Sequence, residues 1–370
     1  MDMKITWFLI CLLGLVGTFG CLPKEKVKIG LLGSFSGKYS DMGKEFRQGN
    51  TLALEHFKKK YPDAFEIEIR TYDTKGELAS VKPLLETIRR DGVKLILGPL
   101  TSNIAREILD RQQVRDILFL SPSVSSDFFS NKDDNFIMIN EVASLQGVAI
   151  ARELENDRIN SLIIIYDGHN GEYTLSVREG IVKAYLGKKI LKEYDLSSWS
   201  KEDYYQKALE IGRLNPQAIT ILASGITGGA VVQNLGRIKY QGKIYGPTWL
   251  KTSNYIRHGG RYSEGTKVIS NYYPANRSRE YQVFENEYQE LFGSYPDWLG
   301  IYAYDTTNIL LRALLGTKQK SGEELKKIIV NSQVVSGIQE EFLINEQGDA
   351  KRKTSTFIVR QGKFERITNE

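Results

Sequence analysis

The chain has 370 residues, beyond the size at which one hydrophobic core keeps growing, so two domains of roughly 150 residues each are expected. With 41% hydrophobic and 26% charged residues it falls in the globular range and outside the disordered one. Its 50 basic and 45 acidic residues are interspersed, and the basic runs at 58–60 and 351–353 read as a helix end and a turn, which argues against a nucleic-acid partner.

Lys4, the apolar run 5–16 and then Gly17-Thr18-Phe19-Gly20-Cys21, followed by polar residues 24–26, form a secretory signal pattern. The run is short for a membrane span, which needs ~20 apolar residues. Gly20-Cys21 resembles the end of a bacterial lipoprotein signal, in which the cysteine is acylated and becomes the new N-terminus. Thr18 and Phe19 depart from that pattern, where Leu and a small residue are usual. Cys11 lies inside the apolar run, so cleavage leaves Cys21 as the single thiol, unable to form an internal disulfide. The expectation is a signal over 1–21 with lipid on Cys21; an uncleaved anchor and a plain cleaved signal are the alternatives.

Beyond the signal, short β-branched apolar runs alternate with longer segments of helical period, the pattern of βαβ units and parallel sheets. Strands are predicted over 27–33, 65–72, 94–98, 117–121, 136–140, 161–167, 190–194, 218–224 and 267–272. Helices are predicted over 43–60, 78–91, 103–114, 146–156, 173–185 and 230–239. The run Ser161 to Tyr166 is apolar on both faces, as in a strand covered by helices on each side, and opens a second set of units. The predicted class is α/β, with two similar doubly wound parallel-sheet lobes.

Several stretches that imitate catalytic motifs fail on residue chemistry. Gly33 to Tyr39 lacks one spacer of a phosphate loop and has Tyr39 where Ser or Thr must hold magnesium. Gly225-Ile226-Thr227-Gly228-Gly229 lacks the third glycine and the later acidic residue of a dinucleotide loop, and reads as a tight strand-to-helix connection. His56, His169 and His258 form no metal-ligand spacing, and no Gly-x-Ser-x-Gly elbow occurs. Neither an enzyme nor a cofactor is expected.

Two hydroxyl-rich loops remain, at predicted strand ends, where open α/β sheets bind ligands. One is Gly98-Pro99-Leu100-Thr101-Ser102-Asn103, leading into a helix whose free N–H groups suit an anion. The other is Ser121-Pro122-Ser123-Val124-Ser125-Ser126-Asp127. Helix capping is the competing explanation for Ser102, Ser125 and Ser126.

The chain resembles the branched-chain amino-acid branch of the type I periplasmic solute-binding proteins of ABC transporters. The resemblance is carried, in order, by Lys28-Ile29-Gly30-Leu31-Leu32 with Ser36-Gly37, Leu97-Gly98-Pro99, Leu120-Ser121-Pro122, Gln146-Gly147, Ile165-Tyr166-Asp167, Tyr245-Gly246-Pro247 and Tyr304-Asp305. It implies a three-crossing hinge near Asn140, Asn271 and the tail around Ala350, with lobe 1 over 27–140 plus 272–350 and lobe 2 over 141–271 plus 351–370. It also implies that Thr101 and Ser102 hold a ligand carboxylate and that Ser123 and Ser125 hold an ammonium. Tyr39, Asn170, Thr248 and Trp249 complete the expected ligand-facing set.

Two positions depart from the family. Asn170 replaces an aromatic residue before Gly171, and Thr248, beside Trp249, replaces the acidic residue that neutralises the amino group. A buried ammonium without its carboxylate is costly, so an amide, a carboxylate or a modified amino acid stays open as ligand. The implied partners are a small polar ligand, the permease of an ABC importer and the membrane through the lipid on Cys21. Location is then the extracytoplasmic face, and the alternative is a ligand sensor of the same fold without transport.

Overall fold

The structure is a computed structural model that describes residues 24–111, 114–272 and 278–367. Cys21 and the signal segment lie outside the described residues. The first sheet has the order β2-β1-β3-β4-β5, formed by β1 (Lys26–Gly33), β2 (Glu66–Asp73), β3 (Leu95–Leu97), β4 (Leu118–Ser121) and β5 (Phe136–Met138). All its pairings are parallel. The helices α1 (Ser40–Lys60), α2 (Val81–Arg90) and α3 (Ser102–Leu109) are the crossovers between its strands. Leu95, Ile96 and Leu97 are all buried, as expected of a strand covered on both faces.

After α4 (Ala143–Asn156) the chain builds a second sheet from β6 (Ser161–Tyr166), β7 (Lys189–Asp195), β8 (Ala218–Leu222), β9 (Lys243–Gly246) and β10 (Lys267–Ser270). Here the crossovers include α5 (Gly171–Ala184), α6 (Asp203–Leu214), α7 (Gly225–Arg237) and α8 (Ser253–Gly259). These five strands pair in parallel. Strand β9 was not among the predicted ones, because Lys243–Gly246 offers only four residues and one β-branched side chain. The helix predicted over 103–114 ends at Leu109, and the strand predicted to reach residue 140 ends at Met138.

The chain then returns to the first unit through α9 (Arg279–Phe292), α10 (Trp298–Leu315) and α11 (Gly322–Asn331). Helix α10 packs along α1 so closely that a Cβ on Gly49 would stand 2.1 Å from the carbonyl oxygen of Gly300. A small antiparallel sheet follows, of β11 (Val334–Ser336), β12 (Glu341–Ile344) and β13 (Ala350–Lys351), bridged to β5 at Met138 and Asp349. Finally β14 (Ser355–Arg360) and β15 (Lys363–Arg366) add to the second sheet antiparallel, beside β10.

The backbone therefore passes between the units after β5, after β10 and between β13 and β14. These passages are tied to one another. Asn271 Nδ2 donates to Asn140 Oδ1 at 3.3 Å, Arg352 Nε to the carbonyl of Ile139 at 2.9 Å, and Thr354 Oγ1 to Glu141 Oε2 at 3.0 Å.

Candidate ligand-binding site

In a parallel sheet the strand order leaves a crevice beyond the carboxyl ends, and here the loops at the carboxyl ends of both sheets face each other. From the first unit come the loops after β1, β3 and β4, and from the second those after β6 and β9. The motif look-alikes take their places as structural turns. In the loop after β1, Phe35 N and Ser36 Oγ donate to the carboxylate of Asp73 at 2.9 and 2.6 Å, so donors a phosphate would need are spent on an acid. At the start of α7, a Cβ on Gly225 would stand 1.9 Å from Thr252 Oγ1, and Ser224 Oγ accepts from Thr227 N. The glycines there admit α8 to close packing.

A small cavity of about 20 Å³ lies at the centre of the junction. Its walls include Ser123, Asn170, Thr248 and Trp249 of the expected set, together with Met42, Asn140, Tyr173 and Trp298. Tyr39, Thr101, Ser102 and Ser125 do not line it, although each is buried nearby. Trp249 is the pivot of the site. Its ring centroid lies 5.6 Å from that of Tyr39 in the first unit and 5.6 Å from that of Tyr173 in the second. Its Nε1 donates to Met42 Sδ at 3.3 Å.

The loop after β3 is shaped by Gly98, whose φ of +109 belongs to the region that favours glycine and whose Cβ would stand 2.1 Å from the carbonyl oxygen of Leu32. Thr101 occupies the N-cap position of α3 in extended conformation without a side-chain cap bond, and Ser102 is the first helical residue. Ser126, by contrast, is a cap: its Oγ accepts from Phe128 N at 3.2 Å. Of the N–H groups in the first turn of α3, that of Asn103 donates to Asn170 Oδ1 at 3.2 Å. Asn103 Oδ1 in return accepts from Glu172 N at 2.8 Å, so this helix end faces the second unit directly.

The hydroxyls of the second loop differ in their use. Ser123 Oγ donates to the carbonyl of Leu100 at 2.7 Å, and the Ser123 carbonyl accepts from Asn140 Nδ2 at 3.4 Å. Ser125 is fully buried, and its Oγ has no hydrogen-bond partner among the described residues. Buried polar atoms are rarely left unpaired, so this hydroxyl is a candidate to meet a ligand. Thr248 N donates to Gln146 Oε1 at 3.0 Å and Thr248 Oγ1 to Asn271 Oδ1 at 3.2 Å, which ties the site to the passages between units.

Asp167, at the end of β6, is fully buried and is the charged centre of the junction. Lys38 Nζ lies 2.9 Å from its Oδ2, the Tyr39 phenol donates to Oδ2 at 3.1 Å, and His169 Nδ1 lies 3.0 Å from Oδ1. Burial, together with the adjacent Asp167 charge, pushes the Tyr39 phenol well above its ordinary range. Its proton therefore stays in place for that bond.

Behind Trp249 and Trp298 a second cavity of about 20 Å³ is bordered by Asp41, Glu45 and Asp297. Burial and the neighbouring Asp297 charge push the Glu45 carboxyl up to about 7, and burial raises those of Asp41 and Asp297. Sequence reasoning missed this cluster and the roles of Met42 and Trp298. Trp298 stands in an almost wholly buried, largely apolar helix, where an aromatic side chain reads as core, so its sequence carried no signal of the site.

The family described as periplasmic binding protein matches residues 26–363. Among solved structures, the leucine binding protein LivK of Thermotoga maritima superposes with a TM-score of 0.82 at 19% identity, covering 92% of this chain and 98% of that one. LivJ of Streptococcus pneumoniae, solved with isoleucine, gives 0.83 at 16% identity over 92% and 98%. A solute binding protein of an ABC transporter from R. palustris, solved with benzoate, gives 0.83 at 16% over 92% and 95%. No curated relative matches the chain. Such proteins bind solutes for ABC transporters outside the cytoplasm and are not enzymes, and no described helix is long and apolar enough to cross a membrane. The agreement of fold, crevice and matched length has one meaning: the chain belongs to the periplasmic binding protein family, a type I solute-binding fold.

Proposed function

We propose that the chain is the solute receptor of an ABC importer, closing its two units around a small carboxylate-bearing ligand and presenting it to the permease. One observation carries this reading: Trp249, Tyr173 and Asn170 from one unit and Met42, Ser123 and Trp298 from the other enclose a single cavity. At about 20 Å³ it is far below the ~300 Å³ of a small-molecule site, so a ligand enters by opening of the junction. The three tied passages are the hinge, narrow enough to rotate while each sheet keeps its core. They divide the chain into lobe 1, 27–140 plus 272–350, and lobe 2, 141–271 plus 351–370.

The cavity walls hold hydroxyls, amides and aromatic faces but no carboxylate, and Asp167 is already matched by Lys38. An ammonium there would lack an opposite charge. A carboxylic acid or amide, of the kind that benzoate represents in the R. palustris protein, suits the cavity better than a common α-amino acid. Thr101, Ser102 and Ser125, buried beside the cavity, supply donors for its carboxylate end as the junction opens to admit it. Mass spectrometry of the ligand released when gently purified protein is denatured tests this reading. Recovery of a small acid or amide that rebinds in calorimetric titration is expected, and a chain that retains and rebinds no solute would overturn it.

The receptor is held at the membrane surface by a lipid on Cys21. Intact-mass analysis of the membrane fraction is expected to show acylated Cys21 at the N-terminus. A mature chain that keeps residues before Cys21, or that carries no acyl mass, would remove the anchor.

A further inference from the structure

The acidic cavity behind Trp249 belongs to both units. Asp41 and Glu45 project from α1 and Asp297 precedes α10, all in the first unit. The second unit covers them: Ser253 donates to Asp297 through N and Oγ at 3.1 and 2.9 Å, and Asn254 Nδ2 donates to Asp41 Oδ2 at 3.2 Å. Within the first unit, the Tyr288 phenol and Asp297 N donate to Glu45 Oε2 at 2.8 and 3.2 Å. Every one of these donors is neutral. Asp41 Oδ1 is buried with no hydrogen-bond partner among the described residues.

The basic groups facing the cluster are few. Lys44 acts on Glu45 from the same helix, His258 of α8 acts on Asp41, and Lys251 acts on Asp297. Lys251 is itself buried, its Nζ 3.8 Å from the ring centre of Tyr272 and 4.3 Å from that of Phe357, and burial pushes its ammonium down to about 7. It is therefore a weak counter-charge. Three half-buried carboxylates gathered among neutral donors cannot all stay ionised at low cost.

Resting on the hinge closure proposed above, we propose that this cluster couples closure to proton uptake: the carboxylates take up protons as Trp249, Ser253 and Asn254 close over them. Closure then strengthens as the pH falls. In the open form solvent returns Glu45 towards its ordinary 4.5, whereas burial and Asp297 hold it at about 7 when closed. The closed form thus binds more protons between these two values. Its advantage is complete below the lower value, declines through the window and is lost above the upper one. Asp41 and Asp297 are raised in the same direction and add to the effect. Tyr288 and Asp297 stay beside Glu45 in either form, so the response lies below the ceiling of ~tenfold per pH unit and per proton.

A cationic ligand group in this cavity would reverse the sign, because it pairs with ionised carboxylates and strengthens closure as the pH rises. The test is small-angle scattering of the whole protein, without added ligand, from about pH 5 to about pH 8. The expected result is a smaller radius of gyration at the acid end, with the closed-to-open ratio falling about threefold or more per pH unit through the window. The Glu45→Gln/Asp297→Asn variant should be compact throughout, since its amides stand in for protonated acids. If that variant does not fold, Glu45→Gln and Asp41→Asn singly should each flatten the profile. A radius independent of pH, an expansion on acidification, or a wild-type profile in the neutralised variants would overturn the coupling. The receptor function stands or falls separately, on the released ligand.

Discussion

Tyr39 and Asp167 meet across the junction of the two units, the phenol donating to Oδ2 at 3.1 Å with Lys38 Nζ beside it at 2.9 Å from the same oxygen. The acid comes from the end of β6 and both donors from the loop after β1, so the contact exists only when the units are together. Lys38→Met leaves a buried carboxylate without its cation. The expected cost is about 1 to 3 kcal/mol, towards the lower end because the Lys38 side chain is 37% exposed. Scattering should show a more open protein, and urea unfolding should show an earlier midpoint; a variant unchanged in both measurements would show that the pair does not hold the junction.

Trp249 is sandwiched between Tyr39 of one unit and Tyr173 of the other. Opening removes Tyr39 and Met42 from its surroundings, so its emission should shift when ligand closes the cleft. The change should vanish in Trp249→Phe. Persistence of the full change in that variant would assign the signal to another of the four tryptophans.

Ser125 allows binding and folding to be separated. Its hydroxyl has no partner to lose among the described residues, so Ser125→Ala should leave the unfolding midpoint close to that of the wild type. Affinity for the released ligand should fall by ~1 to 3 kcal/mol, the cost of leaving a charged group one donor short. Ser102→Ala, at the start of α3, should weaken binding in the same way. Titration calorimetry measures both, and unchanged affinity in the two variants would remove these loops from the site.

Gly98→Ala tests the loop that presents Thr101 and Ser102. The added methyl would meet the Leu32 carbonyl at 2.1 Å while the backbone stays at a φ of +109. Strain of ~1 to 3 kcal/mol or more is expected. Thermal unfolding should show a lowered midpoint, and a variant as stable as the wild type would mean that the loop can relax.

Most of the first unit and the first half of the second were legible from local pattern. The runs 27–33 and 161–167 match β1 and β6 to within a residue, because strands covered on both faces are apolar throughout and leave an unbroken signal. Helices α6, α8, α9, α10 and α11 were not among the predicted elements. In α10 the apolar residues run all round the helix, which erases the amphipathic period that marks a surface helix.

The site divides along the same line. Loops at strand ends were recognisable because turn glycines, prolines and hydroxyls follow apolar runs, and Ser123, Asn170, Thr248 and Trp249 do border the cavity. Which groups meet across it was not recognisable.

By itself the sequence determined the alternation of strands and helices, hence parallel sheets with crevices at their carboxyl ends, since side-chain period records which face of each element is buried. Only the tertiary structure decided that Lys38 and Asp167, 129 positions apart, form the charged centre of the junction, and that Glu45 and Asp297 share one acidic cavity with α8. Those pairings depend on where three passages of backbone set one sheet against the other, and no local periodicity records that relation.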